Sequence, residues 1–403
     1  MSEWRECKLG DLTELVTKGT TPSISTGGFT NSGINFVKSE SISYDGKIDK
    51  TKFAFISDET HEKLKRSQLK VNDILFSMAG VFLGKSALVT KDILPANTNQ
   101  ALAIIRLNSG KANHKFINYF LRQSSVIELV NNMSGQSAQP NINFQEIKSI
   151  EVNLPDIPEQ KAIAAVLSSL DDKIDLLHRQ NKTLEAMAET LFKQWFVIEA
   201  REDWEEKQLG ELLAITSSKR IFYSEYVETG VPFYRSKEII ELHNTGNTKS
   251  ELCISENRFN EIKEKFGAPI KGDILLTSVG TLGIPYRVKS NDNFYFKDGN
   301  LTWFKDFTSI PSIIIYCWLK SSIGKEQLDS ITIGSTQAAL TISGLKEIKL
   351  IIPSKEKIKE LEENLIFFYD KIDANQKQIQ TLETLRNNLL PKLMSGEVRV
   401  NYL

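Results

Sequence analysis

The chain has 403 residues, enough for about two to three domains with cores of their own. Its 40% hydrophobic and 25% charged content is that of an ordinary globular protein, and a net charge of −1 gives no bulk attraction for nucleic acid, so any DNA surface must come from local placement of charge. Three scattered cysteines (Cys7, Cys253, Cys317) and four scattered histidines, without CxxC or HxxxH spacing, argue against a disulfide framework or a zinc site and point to a reducing cytoplasm.

In chain order, the first lines already announce a repeat. Trp4 and the run Lys8-Leu9-Gly10-Asp11-Leu12 return as Trp204 and Gln208-Leu209-Gly210-Glu211-Leu212. Asp73-Ile74-Leu75 returns as Asp273-Ile274-Leu275, and Asp172-Lys173-Ile174-Asp175 as Asp370-Lys371-Ile372-Asp373, always at an offset of 198 to 200 residues. That is a duplication, since solenoid repeats run about 20–50 residues. No signal core opens the sequence, and the apolar stretch Ile313 to Leu319 is far shorter than the roughly 20 residues of a membrane helix.

Residues 1–157 are rich in β-branched and aromatic residues broken by Gly, Asn and Ser. Gly33 to Val37, Asp73 to Ser77 and Ile150 to Leu154 read as short strands, and Lys115 to Val130 as helical, so a mixed α/β domain is expected. Gly80-Val81-Phe82-Leu83-Gly84-Lys85-Ser86 imitates a phosphate-binding loop but has three residues between its glycines where four are required. Its counterpart Val279-Gly280-Thr281-Leu282-Gly283 keeps the glycines and drops Lys-Ser, which favours a tight turn after a strand.

A long helix is expected over 158–197, opened by Pro158-Glu159-Gln160. Its seam runs Ile163, Leu167, Leu170, Ile174, Leu177, Asn181, Leu184, Ala188, Leu191, Trp195, the heptad spacing of a coiled coil. Residues 198–354 repeat the α/β domain, and 355–396 repeat the helix, with seam Leu361, Leu365, Phe368, Ile372, Asn375, Ile379, Leu382, Arg386, Leu389, Leu393. Residues 397–403 form a short tail. Each helix spans roughly 57 Å at about 1.5 Å per residue. A pseudo-twofold relation between the copies would set the helices antiparallel. Asn181 and Asn375 then either fix register or point to the seam edge, and Arg386 is expected to reach solvent.

No Ser/His/Asp, Cys/His or GxGxxG grouping recurs between the copies, which argues for binding over chemistry. What recurs is polar and loop-like. Lys18, Thr20 and Thr21 correspond to Lys219 and Arg220; Lys38-Ser39 to Arg235-Ser236; Asn99-Gln100 to Asn300; and Gln136, Ser137 and Gln139 to Ser335, Thr336 and Gln337. Cations suit phosphates or guanine, amides suit adenine, and hydroxyls suit either. Each residue alone also fits ordinary turn chemistry.

Leu389-Leu390-Pro391-Lys392-Leu393-Met394-Ser395-Gly396-Glu397-Val398, Gln194-Trp195-Phe196-Val197, Pro155 to Gln160 and Gly19-Thr20-Thr21-Pro22 resemble the specificity subunit of type I restriction–modification systems. The resemblance covers essentially the whole chain. It implies two target-recognition domains, each reading one half of an asymmetric bipartite DNA sequence, separated by two antiparallel coiled-coil spacer helices that set the gap. It also implies docking of methyltransferase subunits, expected as two, and of restriction subunits with helicase and nuclease activity. Catalysis, S-adenosylmethionine, ATP and Mg would belong to those partners, with no cofactor or metal here. The second helix departs from the pattern by opening with Ser354-Lys355-Glu356-Lys357. A coiled-coil scaffold for other proteins without DNA readout is the alternative reading, and an enzyme of unrecognised chemistry the third.

Overall fold

A computed structural model describes residues 4–134, 140–201, 204–290, 292–334 and 338–401. The chain divides into two compact units: Met1–Ile174 together with Thr381–Leu403, and Asp175–Gln380. Each contains one α/β domain and one half of each long helix.

In the first unit the repeated Leu-Gly-Asp-Leu segment is a 3-10 turn, Leu9–Leu12, whose two leucines are buried. The Lys8 amide donates to Asp11 Oδ2 at 3.0 Å, closing the turn. At Gly10 an added Cβ would sit 2.9 Å from Lys148 Cβ, which accounts for the glycine. A four-stranded antiparallel sheet follows in the order Thr13–Lys18, Leu102–Leu107, Ile74–Ser77, Ser86–Leu88. Ile74 and Phe76 face the core under the helices His114–Leu121 and Ser124–Met133, while Leu75 faces the other way, onto Val37 and Ile42. This is the two-residue alternation of a strand covered on both faces. The second covering layer is a small sheet in which Ile34–Val37 pairs antiparallel with Ala54–Ile56 and parallel with Ala96–Thr98.

The second unit repeats the plan: Ala214–Thr216, Leu301–Lys305, Ile274–Thr277, Pro285–Arg287 in one sheet, and Val231–Tyr234 parallel to Tyr295–Phe296 in the smaller one. The repeated Asp-Ile-Leu motif is structural. Asp73 takes the Lys70 amide at 2.8 Å and the Arg106 guanidinium at 2.8 and 2.7 Å. Asp273 takes the Ile270 amide at 3.0 Å and the Trp303 indole at 2.8 Å. In both copies the carboxylate closes the turn before the strand and ties it to the neighbouring strand.

The expected strands are present as Ile34–Val37, Ile74–Ser77 and Glu151–Leu154. The expected helix over 115–130 is two helices, because Gln123 adopts an extended backbone (φ −64°, ψ 140°) between them. The turn reading of the Gly80 segment holds: Gly80 and Gly84 have φ of 74° and 83°, and Gly280 and Gly283 have φ of 81° and 75°.

The long helices are Ile157–Lys193, continued by a wider π-type turn Gln194–Ile198, and Lys355–Ser395. Within each unit their halves run antiparallel. In the first, Ile163, Ala164 and Leu167 pack with Leu389, Leu390, Leu393 and Met394. In the second, Ala188 and Phe192 pack with Leu361 and Leu365, and Asn375 Nδ2 donates to Asn181 Oδ1 at 2.8 Å. Asn375 is 1% exposed, so this pair lies in the seam, where a polar partner fixes register. Arg386 corrects the expectation of a solvent-facing side chain. Its side chain is 11% exposed, and Nη1 donates to Asp171 Oδ1 at 2.8 Å. The reason is a second pull on the same carboxylate: Tyr119 Oη and Arg122 Nη1 reach Asp171 Oδ2 at 2.7 and 3.3 Å. Burial acts to raise the Asp171 carboxyl, but the Arg386 hydrogen bond, the Arg122 charge and the Tyr119 hydroxyl outweigh it and hold the group below its ordinary value.

The helix openings explain the segments that distinguish the sequence. Glu159, 1% exposed, accepts from Trp4 Nε1 at 3.2 Å and from Arg399 Nη2 at 2.7 Å. Gln160 accepts the Asn113 amide at 2.7 Å and donates to the Pro155 carbonyl at 2.8 Å. Leu393 and Met394 are buried, Gly396 turns the chain at φ 75° against the Trp4 ring, and the tail returns Arg399 to Glu159. At the second opening Lys357 stands where Glu159 does, four residues before the buried Leu361 as Glu159 is before Ile163. Its partner is Glu199 at 3.0 Å, with the ammonium over the Trp195 ring. The two copies thus make the same tie with opposite charges.

Candidate nucleic-acid interface

In the first unit, four chain segments meet at one end of the four-stranded sheet. Strand Thr13–Lys18 ends there and Leu102–Leu107 begins there, with Lys18 opposite Ala103. Beyond the strands, the Gly19 amide donates to the Leu102 carbonyl at 3.2 Å and the Thr20 amide to the Thr98 carbonyl at 2.9 Å. The approach is so close that a Cβ at Gly19 would lie 2.1 Å from the Thr98 carbonyl oxygen. The Thr21 hydroxyl and amide both donate to Gln100 Oε1. The turn after Ile74–Ser77 joins through the Met78 amide on the Ala101 carbonyl at 2.8 Å, and the Gly80 amide takes the Pro140 carbonyl at 2.8 Å.

The smaller sheet delivers the fifth segment. Val37 and Thr98 end parallel strands side by side, and Thr98 Oγ1 donates to the Val37 carbonyl at 2.8 Å. Lys38 and Ser39 therefore emerge beside Asn99 and Gln100. Lys38 pairs loosely with Glu40 at 3.6 Å and lies 5.4 Å from the Phe29 ring, while Ser39 is buried. Asn99 Oδ1 is buried without a hydrogen-bond partner among the described residues. Lys18, Thr21 and Gln100 are exposed.

The second unit builds the same convergence. Thr216 lies opposite Trp303, the Gly299 amide donates to Ser217 Oγ at 3.4 Å, and the Ser278 amide donates to the Asn300 carbonyl at 2.9 Å. Arg220 Nε donates to Asp298 Oδ2 at 2.8 Å, and the Lys219 amide to the Tyr295 hydroxyl at 2.7 Å. Tyr234 ends its strand beside Phe296, which brings Arg235 and Ser236 next to Lys297, whose amide takes the Tyr234 carbonyl at 2.9 Å. Ser236 Oγ is buried without a partner among the described residues.

Arg235 is heavily engaged. Its Nη2 donates to Glu238 Oε1 at 2.7 Å and to Glu251 Oε2 at 3.4 Å, and its backbone amide to Glu238 Oε2 at 2.8 Å. Burial pushes the Glu238 carboxyl up, and the Arg235 bonds pull it below its ordinary value. The sequence-predicted Gln136, Ser137, Gln139, Ser335, Thr336 and Gln337 lie outside the described residues.

Two groups went unread in the sequence. Arg66 Nη2 donates to Thr20 Oγ1 at 3.2 Å, and Phe266 lies under the Lys219 ammonium at 5.0 Å. Both stand at the end of the segment begun by an equivalent capped helix, Asp58–Lys63 and Glu256–Phe266. The basic run Lys63-Leu64-Lys65-Arg66 is the one signal in the sequence that could have found Arg66, but it has no counterpart in the second copy. Lys85 is a buried ammonium 4.1 Å from the Phe82 ring and 4.9 Å from the Tyr44 ring, and burial together with the charge of Lys52 lowers its pKa. Among the described residues no cluster of His, Cys, Asp or Glu is placed to hold a metal ion. No helix of the described chain is long and apolar enough to cross a membrane.

The family model described as the type I restriction modification DNA specificity domain matches residues 1–186 and again 201–384. The chain belongs to that family. It carries the specificity domain twice, in agreement with the duplication seen in sequence and fold. The MjaIX type I restriction enzyme specificity subunit of Methanocaldococcus jannaschii is 28% identical over 330 residues, covering 77% of this chain and 74% of that protein. The HindI specificity subunit of Haemophilus influenzae is 22% identical and covers 99% of this chain and 100% of its own. The crystal structure of a type I restriction–modification S subunit from M. genitalium matches with a TM-score of 0.63 at 19% identity, over 97% of this chain and 96% of that one, a likeness of fold. The place of this chain is therefore that of a DNA-sequence specificity subunit, and the loop clusters at the two sheet ends are where such a chain has polar side chains to offer.

Proposed function

We infer that this chain reads DNA sequence for a type I restriction–modification enzyme and performs no methyl transfer or cleavage itself. The observation that carries this is the recurrence of one loop convergence, at the same sheet end, in both units. Each cluster reads one half of an asymmetric bipartite target. Lys18, Lys38, Arg66, Lys219 and Arg220 provide phosphate or guanine contacts, and Thr20, Thr21, Gln100 and Asn300 provide hydrogen bonding to bases or backbone. Ser39, Asn99 Oδ1 and Ser236 Oγ are buried and join them only where DNA binding uncovers them. Gln136, Ser137, Gln139, Ser335, Thr336 and Gln337 belong to the same surface by sequence position. Arg235 holds its own helix start first and reaches DNA only by exchanging a carboxylate partner.

The long helices act as the spacer between the halves and as the docking surface for methyltransferase subunits, two being expected from the duplication. Restriction subunits complete the assembly in the cytoplasm, and S-adenosylmethionine, ATP and Mg are used by the partners. A near-neutral reader suffices where partner subunits add phosphate contacts, which dominate affinity while base contacts give specificity.

Co-expression with its methyltransferase subunits in a host lacking DNA methylation, followed by methylation mapping, tests the reading. One bipartite motif should be modified, and only when this chain is present. Methylation that is absent, or indifferent to the chain, would refute it.

A further inference from the structure

A lone exposed apolar side chain is ordinary on a protein surface. Two at one structural position, each held out by bonds on both sides, are not. Ile24 opens the 3-10 turn Ile24–Thr26 and is 98% exposed; Tyr223 opens the 3-10 turn Tyr223–Glu225 and is 88% exposed.

The fastening is the same in both copies although its chemistry differs. Three residues before the apolar side chain the loop is pinned to the interface cluster, by Thr21 on Gln100 in one copy and by Arg220 on Asp298 at 2.8 Å in the other. Two residues after it the turn is tied to the equivalent helix. Thr60 Oγ1 donates to the Thr26 carbonyl at 2.8 Å, and Arg258 pairs with the Glu225 carboxylate at 2.7 Å. Thr60 and Arg258 each stand three residues after the serine N-cap of that helix, Ser57 and Ser255. The turn is also closed on itself, by the Ser23 amide on Thr26 Oγ1 at 2.8 Å and the Phe222 amide on Glu225 Oε2 at 2.7 Å. Tyr223 meets the Tyr226 ring edge-on, 6.0 Å between centroids.

We propose that Ile24 and Tyr223 are apolar base-contacting residues, one for each half of the target, and so determinants of specificity alongside the polar loops. This rests on the DNA-reading function above. A rigid turn beside Lys18 and Arg66, or beside Lys219 and Arg220, presents its apolar side chain where phosphates would be gripped. An exposed apolar group there gains by meeting a thymine methyl in the groove or by wedging against an unstacked base. Phosphates offer it nothing.

The test uses the full chain assembled with its methyltransferase subunits and a duplex carrying the motif found by methylation mapping. Ile24→Ala should weaken binding roughly tenfold and relax the preference in one half of the motif. Tyr223→Ala should do the same in the other half only. The salt dependence should stay at the wild-type slope, since no phosphate contact is lost, and both variants should melt at the wild-type temperature because the side chains are exposed. Replacing thymine by uracil in the affected half should cost the wild type what the variant already lost if the contact is a methyl. A 2-aminopurine probe in that half should brighten with wild type alone if a base step is unstacked. Wild-type affinity and motif in both variants would overturn the proposal, as would a loss of affinity with neither base-level signal. Should the wild type itself show no sequence preference, the DNA-reading function fails first.

Discussion

At the scale of single residues, the two copies separate side chains that hold the fold from those free to meet a ligand. Asp73 and Asp273 recur because a carboxylate must close the same turn, and Gly10 and Gly210 because a Cβ at either would come within 2.9 or 3.0 Å of the Lys148 or Lys346 Cβ. Arg235 belongs with these. Its guanidinium neutralises Glu238, which is fully buried, so Arg235→Ala should lower stability by about 1–3 kcal/mol through the carboxylate left unpaired. Thermal or urea unfolding of the variant measures it. An unchanged midpoint would mean that Glu238 relaxes to solvent, leaving Arg235 free for DNA. Among the described residues Lys18, Arg66 and Lys219 are paired with no buried carboxylate. Sequence alone had given Arg235 and Lys38 the same standing, because i,i+3 pairing to a buried glutamate is invisible until the helix start is placed.

Among whole elements, the long helices were the most legible part of the chain. Heptad spacing sustained over some forty residues leaves little freedom, and every predicted seam position is buried or half-buried. What periodicity could not give was the fate of the polar seam residues. Arg386 was misread because a cation at a seam position has no apparent partner on its own helix; Asp171 supplies one, on the other helix, shared with Tyr119 and Arg122. The Asp171 carboxyl is held below its ordinary value, so folding favours its ionised form. Its contribution is therefore present above the unfolded carboxylate range, near pH 4, and is lost as pH falls through the lower folded value. Stability measured from pH 7 to pH 3 should drop more steeply in the wild type than in Asp171→Asn, which is less stable at pH 7. Parallel pH profiles for the two proteins would contradict the assignment. The helix openings add a further tie of opposite polarity in each copy, Glu159 with Arg399 and Lys357 with Glu199. A spacing argument could see the departure at Lys355 to Lys357 but not its compensation at Glu199.

For the molecule as a whole, duplication is the feature from which the rest follows. It made the α/β units, the paired helices and the recurring polar loops readable, because a pattern seen twice at one offset is hard to produce by chance. It could not rank residues within those loops. That required the strand ends to be placed, which brings residues about eighty positions apart, such as Thr21 and Gln100 or Arg220 and Asp298, into one cluster. The central claim is that each unit reads its own half of a bipartite target. Methylation mapping of the assembled enzyme with Arg66→Ala and Gln100→Ala combined, against Lys219→Ala and Arg220→Ala combined, tests it most directly. The first pair should relax one half of the motif and leave the other intact, and the second pair should do the reverse. Both halves altered by either pair, or neither half altered by both, would contradict the account.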